Sequence, residues 1–337
     1  MAPIIQVRNL CRDYKLTRKR EGVVGGFVDL VRPRKEILRA VDQVSFDIQA
    51  GEMVGYIGAN GAGKSTTIKM LTGILTPTSG TVTVGGMVPW TKRLQYTRHI
   101  GAVFGQRTQL WWDLAVVESF RLLKKIYEVD DATYEQQMGI MNELLGVDEY
   151  LNQPVRKLSL GQRMRCDLVA ALLHKPRVLF LDEPTIGLDV VAKDNVRRFL
   201  KEIRDQQGVT VILTTHDLGD IEQLCRRVII IDKGKVHFDG DLLDLRTRTG
   251  HRVKLTVDFR EDTRTERLVE ATAGLPVVWE EGEGLRHRAE FSRMEVPGAE
   301  VIKRLVNACH VVDFHLAEAD IEEVVADIYR AGGRAGS

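Results

Sequence analysis

Little in this 337-residue chain is extreme, and its absences exclude whole classes of protein. Cysteine is scarce: the four are Cys11, Cys166, Cys225 and Cys309, scattered with no CxxC pair and no Cys/His cluster. That spacing excludes a disulfide framework or a zinc module and reads as the reduced thiols of a cytosolic protein. Net charge is almost absent, 48 basic residues against 47 acidic for a formal +1, so no global field draws the chain to nucleic acid. No apolar run approaches the roughly 20 residues that cross a bilayer. The start, Met1-Ala2-Pro3-Ile4, lacks the basic-then-apolar pattern of a signal peptide. Internal repeats and low-complexity tracts are also missing. What is there is ordinary globular material, 44% hydrophobic and 28% charged, long enough for a large domain and a small one.

Periodicity orders that material. Residues 4–10 and 44–57 read as strands: Val44, Phe46 and Ile48 alternate with polar neighbours, whereas Met53–Ile57 is continuously apolar, as in a strand covered on both faces. Helical spacing follows from Thr66 to Leu71 and stops at Gly73. A mostly helical stretch occupies about 113–175. Strand-like runs return at Val178–Leu181, Val209–Thr214 and Val228–Ile231, with helices at about 190–206 and 217–225 between them. Strands alternating with helices predict a parallel sheet covered on both faces. The stretch 18–36 has basic ends around an apolar middle, Phe27-Val28-Asp29-Leu30-Val31. It reads as an insertion, either solvated or laid against a membrane partner or the lipid headgroups. From about 246 the character changes to a small α+β domain of ferredoxin-like pattern. Its strands are expected at His251–Phe259, Leu285–Phe291 and Val311–Leu316, its helices at Thr265–Ala273, Ala299–Cys309 and Asp320–Ala331. The expected organisation is thus a domain over 1–245 and an accessory one over 246–337.

The chemistry is concentrated in the first of these. Gly58-Ala59-Asn60-Gly61-Ala62-Gly63-Lys64-Ser65-Thr66 fits G-x-x-x-x-G-K-[ST] between a strand and a helix. Glycines let successive N–H groups converge on phosphate oxygens, and the helix turns its positive end toward the same anion. Lys64 would reach the β- and γ-phosphates of ATP, and Ser65 would offer its hydroxyl to Mg²⁺. Asp182 and Glu183 close an apolar strand that Pro184 ends; the first would hold Mg²⁺, the second would polarise the attacking water. His216, three residues beyond Leu213 of another apolar strand, is placed to bond the γ-phosphate and orient that water.

Leu158-Ser159-Leu160-Gly161-Gln162 resembles the signature sequence of ABC transporter ATPases, and with it the whole ordered series resembles that family over residues 4 to about 245. The resemblance implies a P-loop ABC cassette: a parallel sheet core, an antiparallel β subdomain and a helical subdomain over about 113–175. It implies that Ser159 and Gly161 serve the ATP of an opposite subunit, so that two cassettes sandwich two nucleotides in what is expected to be a homodimer. Leu160 stands where the family more often has glycine. Gln106 matches the glutamine that links Mg²⁺ and the water to the transmembrane partner, and Trp111-Trp112 lies where a permease is received. Asp189, after Gly187-Leu188, matches the loop through which two cassettes sense each other, and Tyr14 the aromatic that stacks on adenine.

The implied function is an ATPase subunit that powers export through a separate permease from the cytoplasmic face of the membrane. A single cassette with a small carboxyl-terminal domain resembles drug and antibiotic exporter ATPases of the daunorubicin and viologen types, and the insertion resembles those of glycan and lipid-linked polymer exporters. An importer ATPase and a permease-independent ABC ATPase are the alternatives; a P-loop kinase or GTPase would lack both the 158–162 segment and His216.

Overall fold

In the computed structural model, strand β1 (Ile5–Arg18) pairs antiparallel with β2 (Arg34–Ile48). The residues described are 2–18, 34–105, 107–248, 252–281, 283–318 and 324–325. β1 runs well past the alternating segment 4–10, because residues 11–18 continue the ladder onto β2, with Tyr14 opposite Leu38 and Arg18 opposite Arg34. That extension is charged at Arg12, Asp13 and Lys15, with only Tyr14 and Leu16 alternating among them; backbone pairing holds it rather than burial. Arg18 and Arg34–Glu36, read as ends of the insertion, belong to these strands, while residues 19–33, with Phe27–Val31, lie outside the described residues.

The run 44–57 resolves into two strands, because Gly51, at φ +78°, turns the chain between β2 and β3 (Met53–Gly58). Helix α1 (Lys64–Leu71) follows β3, and β4 (Ser79–Val84) then returns to flank β1, giving the antiparallel order β2-β1-β4. Ile5, Val7, Val44 and Phe46 of this sheet share one core with Tyr56, Ile68 and Leu71 of β3 and α1. Each such side chain, fully buried, contributes about 1.5–3 kcal/mol.

β3 sits inside a second sheet with β5 (Ile100–Phe104), β6 (Val178–Asp182), β7 (Thr210–Thr214), β8 (Arg227–Asp232) and β9 (Lys235–Asp241). The order is β5-β6-β7-β3-β8-β9, and every pair from β5 to β8 is parallel. The short helix α2 (Arg93–Thr97) precedes β5. The helical stretch holds α3 (Val116–Ile126), α4 (Asp131–Leu145) and α5 (Leu160–Leu172), and α6 (Val190–Gln207) and α7 (Leu218–Leu224) lie between the later strands. Polar residues set the helix starts. Asp130 accepts the Thr133 N–H at 2.8 Å to open α4, and Gly146 at φ +58° closes it.

The described structure divides into two units, Met1–Gly240 and Asp241–Ser337. The second holds α8 (Leu242–Arg248), β10 (Arg252–Arg264), α9 (Thr265–Ala271), β11 (Val277–Trp279), β12 (Glu283–Ser292), α10 (Gly298–Ala308) and β13 (Val311–Glu318). Its sheet, β11-β12-β10-β13, is antiparallel throughout. From β10 onward the order is β-α-β-β-α-β, the split βαβ, ferredoxin-like arrangement. Val253, Leu255, Val257 and Phe259 are buried in alternation with half-buried Lys254, Thr256 and Asp258, so one face packs on Leu268, Val301 and Leu305. Most of the segment 320–331, expected as a last helix, lies outside the described residues.

Candidate active site

The strand order places the ends of β6, β7 and β3 side by side at the carboxyl edge of the parallel sheet, where open α/β sheets bind ligands. The chain leaving β3 turns through a loop that only glycines can trace. A Cβ on Gly58 would lie 2.3 Å from the Ile231 carbonyl oxygen, and one on Gly63, at φ +108°, 2.5 Å from that of Ala40. Asn60 and Gly61 are exposed at the loop's crest, Ala62 is buried, and its N–H closes the turn onto the Ala59 carbonyl at 3.0 Å. Lys64 begins α1 but folds back, donating from Nζ to the carbonyls of Gly58 (2.8 Å) and Ala59 (3.3 Å). Burial pulls its ammonium below the ordinary value, against the opposing charges of Glu183 and Asp182. Ser65 is exposed at the start of α1 and Thr66, next to it, is half-buried.

Asp182, at the end of β6, is held by two hydroxyls on one oxygen: Thr214 donates to Oδ1 at 2.5 Å and Ser65 at 3.3 Å. Glu183 follows in the left-handed region, at φ +56°, which costs a residue with a Cβ about 1–2 kcal/mol. Its N–H fixes the turn by donating to the Thr214 carbonyl at 2.9 Å and reaches the Thr214 hydroxyl at 3.2 Å. The neighbouring strand end is equally close. Gly105 N–H donates to the Asp182 carbonyl at 2.8 Å, and a Cβ there would lie 2.0 Å from the Glu183 carbonyl oxygen. His216, beyond β7, brings Nδ1 to 3.2 Å from Glu183 Oε2, with its side chain 57% exposed and that of Glu183 only 22%. The structure therefore gathers Lys64, Ser65, Asp182, Glu183 and His216 into one cluster. Gln106 lies outside the described residues.

Tyr14 is on β1 with the Arg12 guanidinium 4.9 Å above its ring, two rungs along the ladder from Ala40, whose carbonyl abuts Gly63. The other predicted residues form a separate group. Ser159 caps α5 in a reciprocal box: its hydroxyl accepts the Gln162 N–H at 3.2 Å, and Gln162 Oε1 accepts the Ser159 N–H at 2.9 Å. Asp189 caps α6 by accepting the Ala192 N–H at 2.8 Å. The two caps touch. Leu160 Cδ2 would lie 3.0 Å from a Cβ on Gly187, and a Cβ on Gly161 would lie 3.2 Å from that of Ala192. Trp111 and Trp112 stand 39% and 50% exposed.

Sequence reasoning missed the residues behind these. Asp220 is fully buried and takes Arg197 Nε at 2.6 Å, Thr185 Oγ1 at 2.5 Å and Thr215 Oγ1 at 3.3 Å, tying the turn after β6 to the one before His216. Asp167 of α5 is buried too, and burial pushes its carboxyl up to about 6 despite two hydrogen bonds to it. A single acid inside a helical apolar pattern carries no signal of a buried partner, and Thr214 stands 32 residues from the acid it holds.

Chemically, a glycine loop with a lysine grips a polyphosphate, a carboxylate–hydroxyl pair offers hard oxygens, and a carboxylate–imidazole pair can hold a water and its proton. Among the described residues no group of three or more His, Cys, Asp or Glu side chains forms a metal cluster. A magnesium ion that borrows phosphate oxygens needs only one or two protein oxygens, and the Ser65–Asp182 pair fits that demand.

A family model described as ABC transporter matches residues 41–186, all in the first unit. ABC transporter ATP-binding protein NatA of Bacillus subtilis (strain 168) is 31% identical over 212 residues, 63% of this chain and 86% of that protein. The linearmycin resistance ATP-binding protein LnrL of the same organism is 35% identical over 210 residues, covering 62% of this chain and 67% of that one. A solved structure of an ATP-binding subunit of an ABC transporter superimposes with a TM-score of 0.61 at 27% identity, over 73% of this chain and 93% of the other.

Proposed function

This chain belongs to the ABC transporter ATP-binding family, and from that premise we propose that it is the motor subunit of an exporter whose membrane-spanning part is a separate chain. It is an ATPase subunit of a transporter. The observation that carries the mechanism is the convergence of Lys64, Asp182, Glu183 and His216 at the ends of three adjacent strands. The loop amides and Lys64 hold the phosphates of ATP, and Tyr14 stacks on the adenine. Ser65 and Asp182, with Gln106, hold Mg²⁺, which when bound neutralises charge on the β- and γ-phosphates. Glu183 takes the proton of the attacking water; its N–H is fixed on Thr214 and its carboxylate lies against His216.

His216 has a stricter part. A neutral imidazole carries one N–H; donated through Nδ1 to Glu183, it leaves Nε2 an acceptor only. To donate to a γ-phosphate, the neutral imidazole must release Glu183, so in that form the histidine serves the base and the phosphate in turn. Ser159 is not so divided, since capping uses its oxygen as acceptor and leaves its O–H for a phosphate. The exposed start of α5 serves the nucleotide of a second copy, with Leu160 turned aside onto Gly187 and Asp189 in the adjoining loop. Trp111 and Trp112 face the permease. Among the described residues no helix is long and apolar enough to cross a membrane. We place the chain at the cytoplasmic face, held by that permease.

Export is favoured by the likeness to a linearmycin resistance protein. Glu183→Gln tests the motor: turnover should fall by about 10²–10⁴-fold while ATP binding persists and an ATP-bound dimer accumulates. Undiminished hydrolysis by this variant removes Glu183 from the role of base. Direction is tested by co-purifying the membrane chain and following ATP-driven cargo movement in inside-out vesicles; accumulation supports export and depletion import.

A further inference from the structure

The segment that carries the two tryptophans is fastened to helix α5 at several points. Asp167 Oδ1 accepts the Thr108 hydroxyl at 2.8 Å and the Gln109 N–H at 3.0 Å, while Gln109 Nε2 donates to the Asp167 carbonyl at 2.9 Å. One turn earlier on the same helix, the Arg163 guanidinium lies 5.5 Å over the Trp112 ring. Just before α5, Arg156 pairs with Asp113 and donates its backbone N–H to the Trp112 carbonyl at 3.0 Å. Ties away from α5 are these: Arg107 N–H reaches back to Phe104 at 2.8 Å, Trp111 N–H reaches Ser119 Oγ at 3.3 Å, and the Leu114 carbonyl accepts the Val155 N–H at 3.0 Å.

A buried carboxylate is a costly way to fill space. An apolar side chain would pack there without desolvating a charge, and what the acid supplies instead is one fixed geometry for its donors. None of the groups gathered at the phosphate loop touches it.

We propose that Asp167 is a positioning residue that, with Arg163, makes the Trp111-Trp112 segment and helix α5 move as one piece. The proposal rests on reading that segment as permease-facing and α5 as the helix that serves a partner's nucleotide. Asp167 lies eight residues along from Ser159, a lever of about 12 Å at 1.5 Å per residue. A load on the tryptophans therefore tilts the capped end of α5, and closure of two cassettes on ATP pulls the tryptophans in return. The coupling is reciprocal.

The test uses the full chain carrying Glu183→Gln, with Trp90, Trp111 and Trp279 replaced by Phe so that Trp112 alone reports. ATP and Mg²⁺ are titrated while light scattering follows dimer formation and fluorescence follows Trp112. The expected result is a Trp112 response with the same ATP midpoint as dimerisation. In Asp167→Ala, dimerisation persists but that response falls by about five-fold or more, the lower range of allosteric coupling. Thr108→Val, which removes one hydrogen bond and leaves the buried carboxylate in place, gives a smaller loss and carries the test if Asp167→Ala does not fold; Arg163 is left unaltered because its guanidinium lies over the reporting ring. A folded strap variant with an unchanged Trp112 response overturns the proposal, as does a Trp112 that ignores dimerisation in the unaltered strap. Failure of Glu183→Gln to dimerise at all instead sinks the functional reading beneath it.

Discussion

The two units use the same chemistry of arginine and aspartate in opposite ways. In the first, Arg197 meets Asp220 where the carboxylate is fully buried and two threonines complete its hydrogen bonds. In the second, Arg286 meets Asp258 in a two-pronged pair at 2.6 and 2.7 Å, but with the arginine side chain 65% exposed on the outer face of the sheet. Pairing holds that Asp258 carboxyl below its ordinary range, yet water screens the pair. The first unit buries charged groups, Lys64, Asp167 and Asp220, beside or behind its turns; among the described residues the second buries Thr263, Thr272 and His287 but no carboxylate, ammonium or guanidinium. Buried acids and lysine, rather than polar content, thus separate the unit that carries the glycine loop from the one that does not.

That contrast can be broken by direct measurement. Arg197→Ala, which strands Asp220 without its counter-charge, should lower stability by about 3–5 kcal/mol in chemical unfolding. A loss below 1 kcal/mol would erase the distinction. Next in size is Asp167→Asn. The folded carboxyl, raised to about 6, sits above its ordinary 3.8. The acid therefore favours folding only while protonated, and that contribution is lost as pH rises from about 4 through about 6, a swing near 3 kcal/mol in all. Relative to the asparagine variant, the native chain should weaken by roughly 1–2 kcal/mol between pH 5 and 7.5, read from urea midpoints at the two pH values. A pH-independent gap would deny Asp167 its burial penalty. Ser159→Ala should cost about 1 kcal/mol through the lost cap. Its turnover should fall further than its stability explains, because the hydroxyl offered to a partner's phosphate goes with it. Smallest of all, Arg286→Ala should leave the urea midpoint almost unmoved, and high salt should shrink even that change.

The sequence was most legible where the backbone itself is the instrument. The glycine spacing of residues 58–65 reads as a phosphate loop and the acid pair as the end of an apolar strand; the strand order β6-β7-β3 brings the two together. The second unit's pattern was readable as alternation on β10 and β12, without any chemistry to attach to it. What escaped has physical reasons. β4 and β5 each carry a glycine, Gly80 and Gly101, that interrupts the apolar pattern, and the far half of β1 sets Tyr14 and Leu16 among charged neighbours. Asp167, Asp220 and Thr214 act through partners 23 to 59 residues away or across a turn, and no local spacing announces a tertiary hydrogen bond.

Glu183 illustrates a conflict between selection pressures. Its left-handed backbone would suit glycine or asparagine better, so replacing it by either should stabilise the fold by a fraction of a kcal/mol up to about 1 while silencing the motor. A library of this chain screened only for heat tolerance would therefore enrich proteins that survive and do nothing. Any effort to harden it needs an activity screen run alongside.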